Sequence, residues 1–328
     1  MDFTHLFQIP AVGMMQERIL IVGLNWIGDA IMSMPAVQAC RAENPDARIA
    51  LLVKPYLKPL WEMHAVPDDI RCLEPKMSDT VAGLRAQRFD KACILPNSFR
   101  SAFLPTMAGI RSRIGLKGEL RRWMLTETVP LSGGHQMNEY YPILAPGHAG
   151  RELPKLSVPE SRFESVGGDY AVLMPGAARG PSKMWPIDHF EALAKRILSE
   201  TELSIVLAGG GGDAPACEML AAKLGGRAQS VAGKTTLKEW AALLKNGRVS
   251  VANDSGGMHL AGAVGAPVVG LFGMTNPDKT GPLAERFRII QNSTEKARHI
   301  ARDSAEARQA LADISPEQVF DAVQELLA

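Results

Sequence analysis

Residues 249–265 read VSVANDSGGMHLAGAVG: an apolar run, a turn of Asn, Asp, Ser and two glycines, then a helical pattern. The run is short and closed by turn residues, which reads as a buried strand. The helix opens at the glycines. Its first amide N–H groups have no partner inside the helix, and its dipole favours an anion there. Gly256 and Gly257 let a diphosphate approach the backbone, and the Ser255 hydroxyl adds a donor. A strand ending in such a turn belongs to an open α/β sheet, whose ligands sit beyond the carboxyl ends of the strands. Asp254 and Ser255 equally suit plain helix capping, and His259 suits packing as well as ligand contact. The turn alone does not choose between these.

A second turn of the same kind lies upstream. Residues 175–186, PGAARGPSKMWP, also follow a strand and precede a helix. They bring Arg179, Ser182 and Lys183 to the same edge. A lone loop lysine is usually a solvated charge, but beside a second anion-binding turn it suits a diphosphate clamp. Residues 209–212 are four glycines before Asp213. They lack a clear G-x-G-x-x-G with a suitably spaced acid, so an NAD-dependent oxidoreductase is a weak reading.

Outward from these turns, strands are expected at 18–24 (RILIVGL), 47–53, 92–95, 170–174, 203–208, 248–252 and 267–272. Helical patterns start at Asp29, Pro186 and Asp213, and the first stops at Asn44-Pro45. The alternation predicts an α/β chain of two Rossmann-like, doubly wound domains facing a central cleft. Residues 146–169 are rich in Pro, Gly and charge and mark the boundary. The expected division is an N-terminal extension (1–16), an acceptor-binding domain (17–160), a donor-binding domain (161–313) and a C-terminal helix (314–328). That helix can pack back on the first domain. Ser315 caps it, with Pro316 in its first turn and Gln318 closing a capping box.

The 328 residues are 46% hydrophobic, enough for two cores. Net charge is +1, so no global field argues for nucleic acid. Cys40, Cys72, Cys93 and Cys217 form no CxxC pair and read as reduced core residues. No metal-ligand spacing appears. No stretch approaches the roughly 20 apolar residues of a membrane helix, and residues 1–16 lack a secretory pattern. A cytoplasmic protein is expected, with room for work at a membrane surface.

Several stretches together resemble one family. They are WIGDAIMSMPAVQA (26–39), LPNSFRSAFLPTMAGIRSRIG (95–115), PGAARGPSKMWP, VAGKTTLKEWAALL (231–244) and NDSGGMHLAGAVGAPVVGLFGMTNPDKTGPL (253–283). In order and content they resemble the bacterial heptosyltransferases of glycosyltransferase family nine, most of all its type II branch. The resemblance implies a GT-B fold and inverting transfer from ADP-heptose to a heptosylated Kdo-lipid A acceptor, with no metal and no cofactor. It implies Asp29 as general base and Lys183 on the donor phosphate. Asp254, Ser255, Gly256, Gly257 and His259 match its donor-binding segment, and Asp213 falls near the nucleoside or sugar. The sequence departs from the family at Gly257, where Pro is frequent, and at Ala177 and Ala178, where hydroxyl or acidic residues are.

The acceptor carries acidic sugars and phosphates, so cations are expected to meet it. Asn97, Ser98, Arg100, Lys117, Arg121 and Arg122 are the acceptor-side candidates, in a stretch where only Glu119 opposes the charge. A solvated face is the plainer account of that run. A non-catalytic nucleotide-sugar binder on the same fold, or another family-nine transferase, is the remaining alternative.

Overall fold

The computed structural model describes residues 16–118, 120–148, 152–160, 168–296 and 300–328. Most of the expected N-terminal extension, and the expected border after residue 160, fall outside them. The first unit runs β1 (Arg18–Val22), α1 (Ile27–Glu43), β2 (Arg48–Val53), α2 (Lys58–Trp61), β3 (Asp69–Cys72), α3 (Met77–Gln87), β4 (Lys91–Ile94), α4 (Phe99–Met107), β5 (Ser112–Leu116), β6 (Glu127–Val129) and α5 (Tyr141–Leu144). The second runs β7 (Tyr170–Met174), α6 (Ile187–Glu200), β8 (Ser204–Leu207), α7 (Ala214–Leu224), β9 (Ala228–Ser230), α8 (Leu237–Asn246), β10 (Val249–Asn253), α9 (Gly256–Ala263), β11 (Val268–Leu271), α10 (Pro277–Thr280), β12 (Phe287–Ile290), α11 (Ala305–Ala312) and α12 (Pro316–Leu327).

Each unit builds one six-stranded sheet, ordered β3-β2-β1-β4-β5-β6 and β12-β11-β10-β7-β8-β9. Every pairing is parallel. Counted from its own first strand, each sheet has the same Rossmann order, so the expected two doubly wound units are present. The order reverses between β1 and β4 in one and between β7 and β10 in the other. Parallel sheets covered on both faces need unbroken apolar strands. β1 supplies Ile19, Leu20 and Ile21, and β7 supplies Ala171, Val172 and Leu173, all fully buried. Among the strands that no apolar run announced, β3 and β9 are short and half-exposed along their whole length.

α1 explains how the units meet. A surface helix buries one stripe, yet α1 is buried continuously from Ala30 to Cys40. It lies between its own sheet and α9 of the second unit. Glycines permit the approach. A Cβ on Gly28 would stand 2.7 Å from the His259 ring, and one on Gly256 would stand 3.0 Å from Ile27 Cβ. The two helix starts therefore touch across the cleft.

The C-terminal helix does not return to the first unit. Val319, Phe320, Val323 and Leu326 of α12 pack with Phe190 and Ile197 of α6 in the core of the second unit. Arg288 on β12 pairs with Glu325 at 2.6 Å. The apolar stripe of α12 covers a face of β10–β12. The capping box of Ser315 and Gln318 forms as expected. Cys40, Cys93 and Cys217 are buried and Cys72 half-buried, and all four are free thiols.

Candidate active site

A cavity of about 1040 Å³ lies where the two points of strand reversal face each other. Ligands of open α/β sheets sit at such points, and this volume suits a ligand of nucleotide-sugar size. Asp29 lines it from the first turn of α1, and Asn97 lines it from the turn after β4. Arg179, Ser182, Lys183, Asp213, Asp254, Ser255, Gly256, Gly257 and His259 line it from the second unit. Ser98, Arg100, Lys117, Arg121 and Arg122 are not part of its wall.

Neither residue of the turn after β10 caps α9. Ser255 occupies the N-cap position, but its side chain makes no capping bond. Asp254, nearly buried, instead accepts from Lys183 Nζ at 2.6 Å. The adjoining Asn253 is fully buried and staples the two turns together. Its Nδ2 donates to the Pro175 carbonyl at 2.7 Å, and its Oδ1 accepts from the Trp185 amide at 2.9 Å. This holds Lys183 over the start of α9.

Other expected donor residues also serve the frame. Ser182 is buried, donates to the Ala301 carbonyl and accepts from the Ser304 amide. Asp213 accepts from the Gly210 amide at 2.8 Å. A Cβ on Gly176 would stand 2.1 Å from the Asp213 carboxyl, so any side chain there would have to displace that carboxyl. Gly257 is also tight, with Met174 Sδ 2.6 Å and Trp240 3.1 Å from where its Cβ would be. Burial pulls His259 down to about 4, so it is neutral near pH 7. Arg179 is exposed at the cavity rim.

Asp29 does not act as a cap either, because Trp26 holds the N-cap position of α1. Its Oδ1 accepts from Gln136 Nε2 at 3.2 Å, and the same nitrogen donates to the Tyr140 hydroxyl at 2.8 Å. Burial raises the Asp29 pKa; the Gln136 bond and the fields of Arg179 and Lys183 lower it, while Asp254 raises it. A half-desolvated carboxylate with its pKa raised is suited to accept a proton. Sequence reasoning missed Gln136, because a glutamine between β6 and α5 has no motif around it. The segment that carries Gln136 also bridges the units: His135 Nε2 lies 3.0 Å from the Gly281 carbonyl, and Glu139 pairs with Lys279 at 3.3 Å.

Arg121 is a correction. Expected among acceptor-side cations, it is completely buried. Its guanidinium donates to the carbonyls of Leu116 at 2.7 Å and Pro96 at 2.5 Å, and to Ser101 Oγ at 3.3 Å. A guanidinium offers five donors in a fixed fork, and here they tie the end of β5 to the turn after β4. No solvent-facing ligand can reach it. Arg121→Met should lower stability by roughly 1–3 kcal/mol, because those acceptors lose their donor; thermal unfolding reads this. An unchanged melting temperature would remove the bracing role. Ser98 caps α4 by accepting from the Ser101 amide. Arg100, Lys117 and Arg122 are exposed.

Among the described residues, no three His, Cys, Asp or Glu side chains are grouped to hold a metal ion. No helix among them is long and apolar enough to cross a membrane.

Known proteins share this two-unit fold. The model of glycosyltransferase family 9 (heptosyltransferase) matches residues 79–309. Lipopolysaccharide heptosyltransferase 2 of Salmonella typhimurium is 32% identical, over 95% of this chain and 99% of the relative. The solved structure of Escherichia coli ADP-heptose lps heptosyltransferase II superposes with a TM-score of 0.80 at 28% identity, covering 94% of this chain and 98% of that one. E. coli heptosyltransferase WaaC with ADP shares the fold, with a TM-score of 0.74 at 17% identity over 94% and 99% of the two chains.

Proposed function

The chain belongs to glycosyltransferase family 9, the heptosyltransferases, and from that premise we propose how its two units divide the work of transferring heptose from ADP-heptose to the heptosylated Kdo-lipid A inner core of lipopolysaccharide. The second unit takes the donor and the first the acceptor. The observation that carries this is the meeting of the α1 and α9 starts across one cleft. It sets a desolvated carboxylate on one wall and a lysine with free helix amides on the other.

The reaction is a direct displacement. The acceptor hydroxyl oxygen attacks the anomeric carbon while Asp29 takes its proton. The bond from that carbon to the phosphate oxygen breaks with inversion, and ADP leaves. Lys183 and the amides of Ser255–Gly257 meet the charge that develops on the diphosphate. Gln136 holds Asp29 Oδ1 so that the other carboxylate oxygen faces the acceptor. The acceptor is lipid-anchored, so the enzyme works in peripheral contact with the inner face of the inner membrane.

The deciding experiment offers ADP-heptose with truncated lipopolysaccharide cores and reads ADP release. Release is expected with a core bearing one heptose. Release only with a heptose-free core would move the chain to the type I reaction, and tight ADP binding without turnover on any core would make it a binder. The pH profile adds a second test. Only deprotonated Asp29 accepts a proton, so activity falls as pH drops through its raised pKa. Gln136→Leu removes a bond that favours the carboxylate, so the acid limb of kcat/KM should move to higher pH. An unmoved limb would separate Gln136 from the base.

A further inference from the structure

Leu120 and Arg121 are adjacent, and their burial is the reverse of what their chemistry favours. Leu120 is 82% exposed and Arg121 is 0% exposed. Exposed leucines are common singly, whereas fully buried arginines are rare. The backbone is also turned against its residue type, since Leu120 has φ 58°, in the left-handed region that leucine disfavours. Arg121 pins the loop from inside through Leu116 and Pro96, and Leu120 is held out in the solvent.

Leu120 does not stand alone. Trp123 is 69% exposed and Phe99 49% exposed. The Trp123 indole donates to the Leu120 carbonyl at 3.2 Å, and its ring lies 6.5 Å from that of Phe99. Phe99 in turn stacks on Phe103 at 5.7 Å. Three large apolar side chains from two segments thus share one projecting patch. Exposed cations alternate with them along the chain: Arg100 follows Phe99, Lys117 precedes Leu120, and Arg122 precedes Trp123. From residue 97 to 126 the sequence has six Lys or Arg and one acid, Glu119, which lies outside the described residues.

We propose that Phe99, Leu120 and Trp123, flanked by Arg100, Lys117 and Arg122, form the surface by which this chain docks on an anionic phospholipid bilayer. Aromatic and leucine side chains beside Lys and Arg are the composition of the bilayer interface, where rings sit at headgroup depth and cations meet lipid phosphate. A protein partner fits less well, because interface centres are depleted of charge. A second copy fits worse still, because a two-fold contact would set these cations against themselves. The patch also lies at the cleft. Asn97, two residues before Phe99, and Leu116, one before Lys117, line the cavity. A bilayer on the patch therefore places lipid beside the cavity mouth. This last point rests on the lipid-anchored acceptor of the proposed function; the docking surface does not.

The test is co-sedimentation of the full chain with phosphatidylethanolamine–phosphatidylglycerol vesicles and with phosphatidylcholine vesicles. Binding is expected to the anionic vesicles and to weaken with salt. The double variant Leu120→Asn, Trp123→Ser should bind at least about tenfold more weakly, and Arg122→Ser roughly fivefold. Asn adopts the left-handed region readily, so the double variant should melt no lower than the parent. It should also use a soluble core fragment at the parent's rate. Parent protein that ignores anionic vesicles, or a double variant that binds them as well as the parent does, overturns the proposal. So does a dimer of the parent that the double variant disperses. Vesicle binding needs no turnover, so a chain that docks but transfers no heptose would defeat the functional reading and leave this surface standing.

Discussion

Asp29→Asn is expected to lower kcat by about a hundred- to ten-thousandfold, the usual worth of a positioned base, with ADP affinity unchanged. The substitution keeps size and shape and removes only the ability to take a proton. It should also leave the protein at least as stable. Burial is the largest influence on Asp29 and raises its pKa in the fold. A carboxyl raised in this way favours the folded state below its unfolded value and loses that contribution as pH rises through the folded one. At neutral pH the buried carboxylate therefore opposes folding, and Asn relieves it. Turnover, ADP titration calorimetry and thermal unfolding measured on the same sample separate a lost base from a damaged fold. Substantial remaining turnover would reduce Asp29 to a helix-end acid.

Lys183→Met should raise donor KM and lower kcat, with a combined loss in kcat/KM of roughly a hundred- to a thousandfold. Two effects add. The departing diphosphate loses a cation. Asp254, only 7% exposed and paired at 2.6 Å with Lys183, is left as an uncompensated carboxylate facing that anion. Breaking a shielded pair from one side is costly because the survivor stays desolvated, so stability should fall as well, by about 1–3 kcal/mol. Adding Asp254→Asn to the variant should restore most of the stability and little of the activity. If the double substitution restores both, the lysine serves the fold alone.

Each segment's legibility followed from whether its signal was local. The turns 253–257 and 175–186 could be read because a strand, a glycine turn and a helix start are contiguous in the chain. What the turns do with their side chains could not be read. Asp254 and Ser255 suited capping equally well until Lys183, 71 residues away in sequence, was seen to take Asp254. Gln136 escaped because its meaning depends on Asp29, 107 residues earlier. Arg121 misled for a related reason. In a run of cations it looks like its neighbours, and only the turn of the loop decides which one faces inward.

The same division holds for the whole molecule. The sequence by itself determined two doubly wound units, the family, the two glycine turns and the acid at the first helix start, because strand periodicity, helix starts and ordered motifs are properties of neighbouring residues. Only the tertiary structure decided that α1 and α9 touch through Gly28 and Gly256, that α12 stays on the second unit, and that Arg121 is a brace beneath an outward leucine. Those depend on which surfaces are removed from water when distant segments pack, and that follows from the folded arrangement, not from the local pattern of the chain.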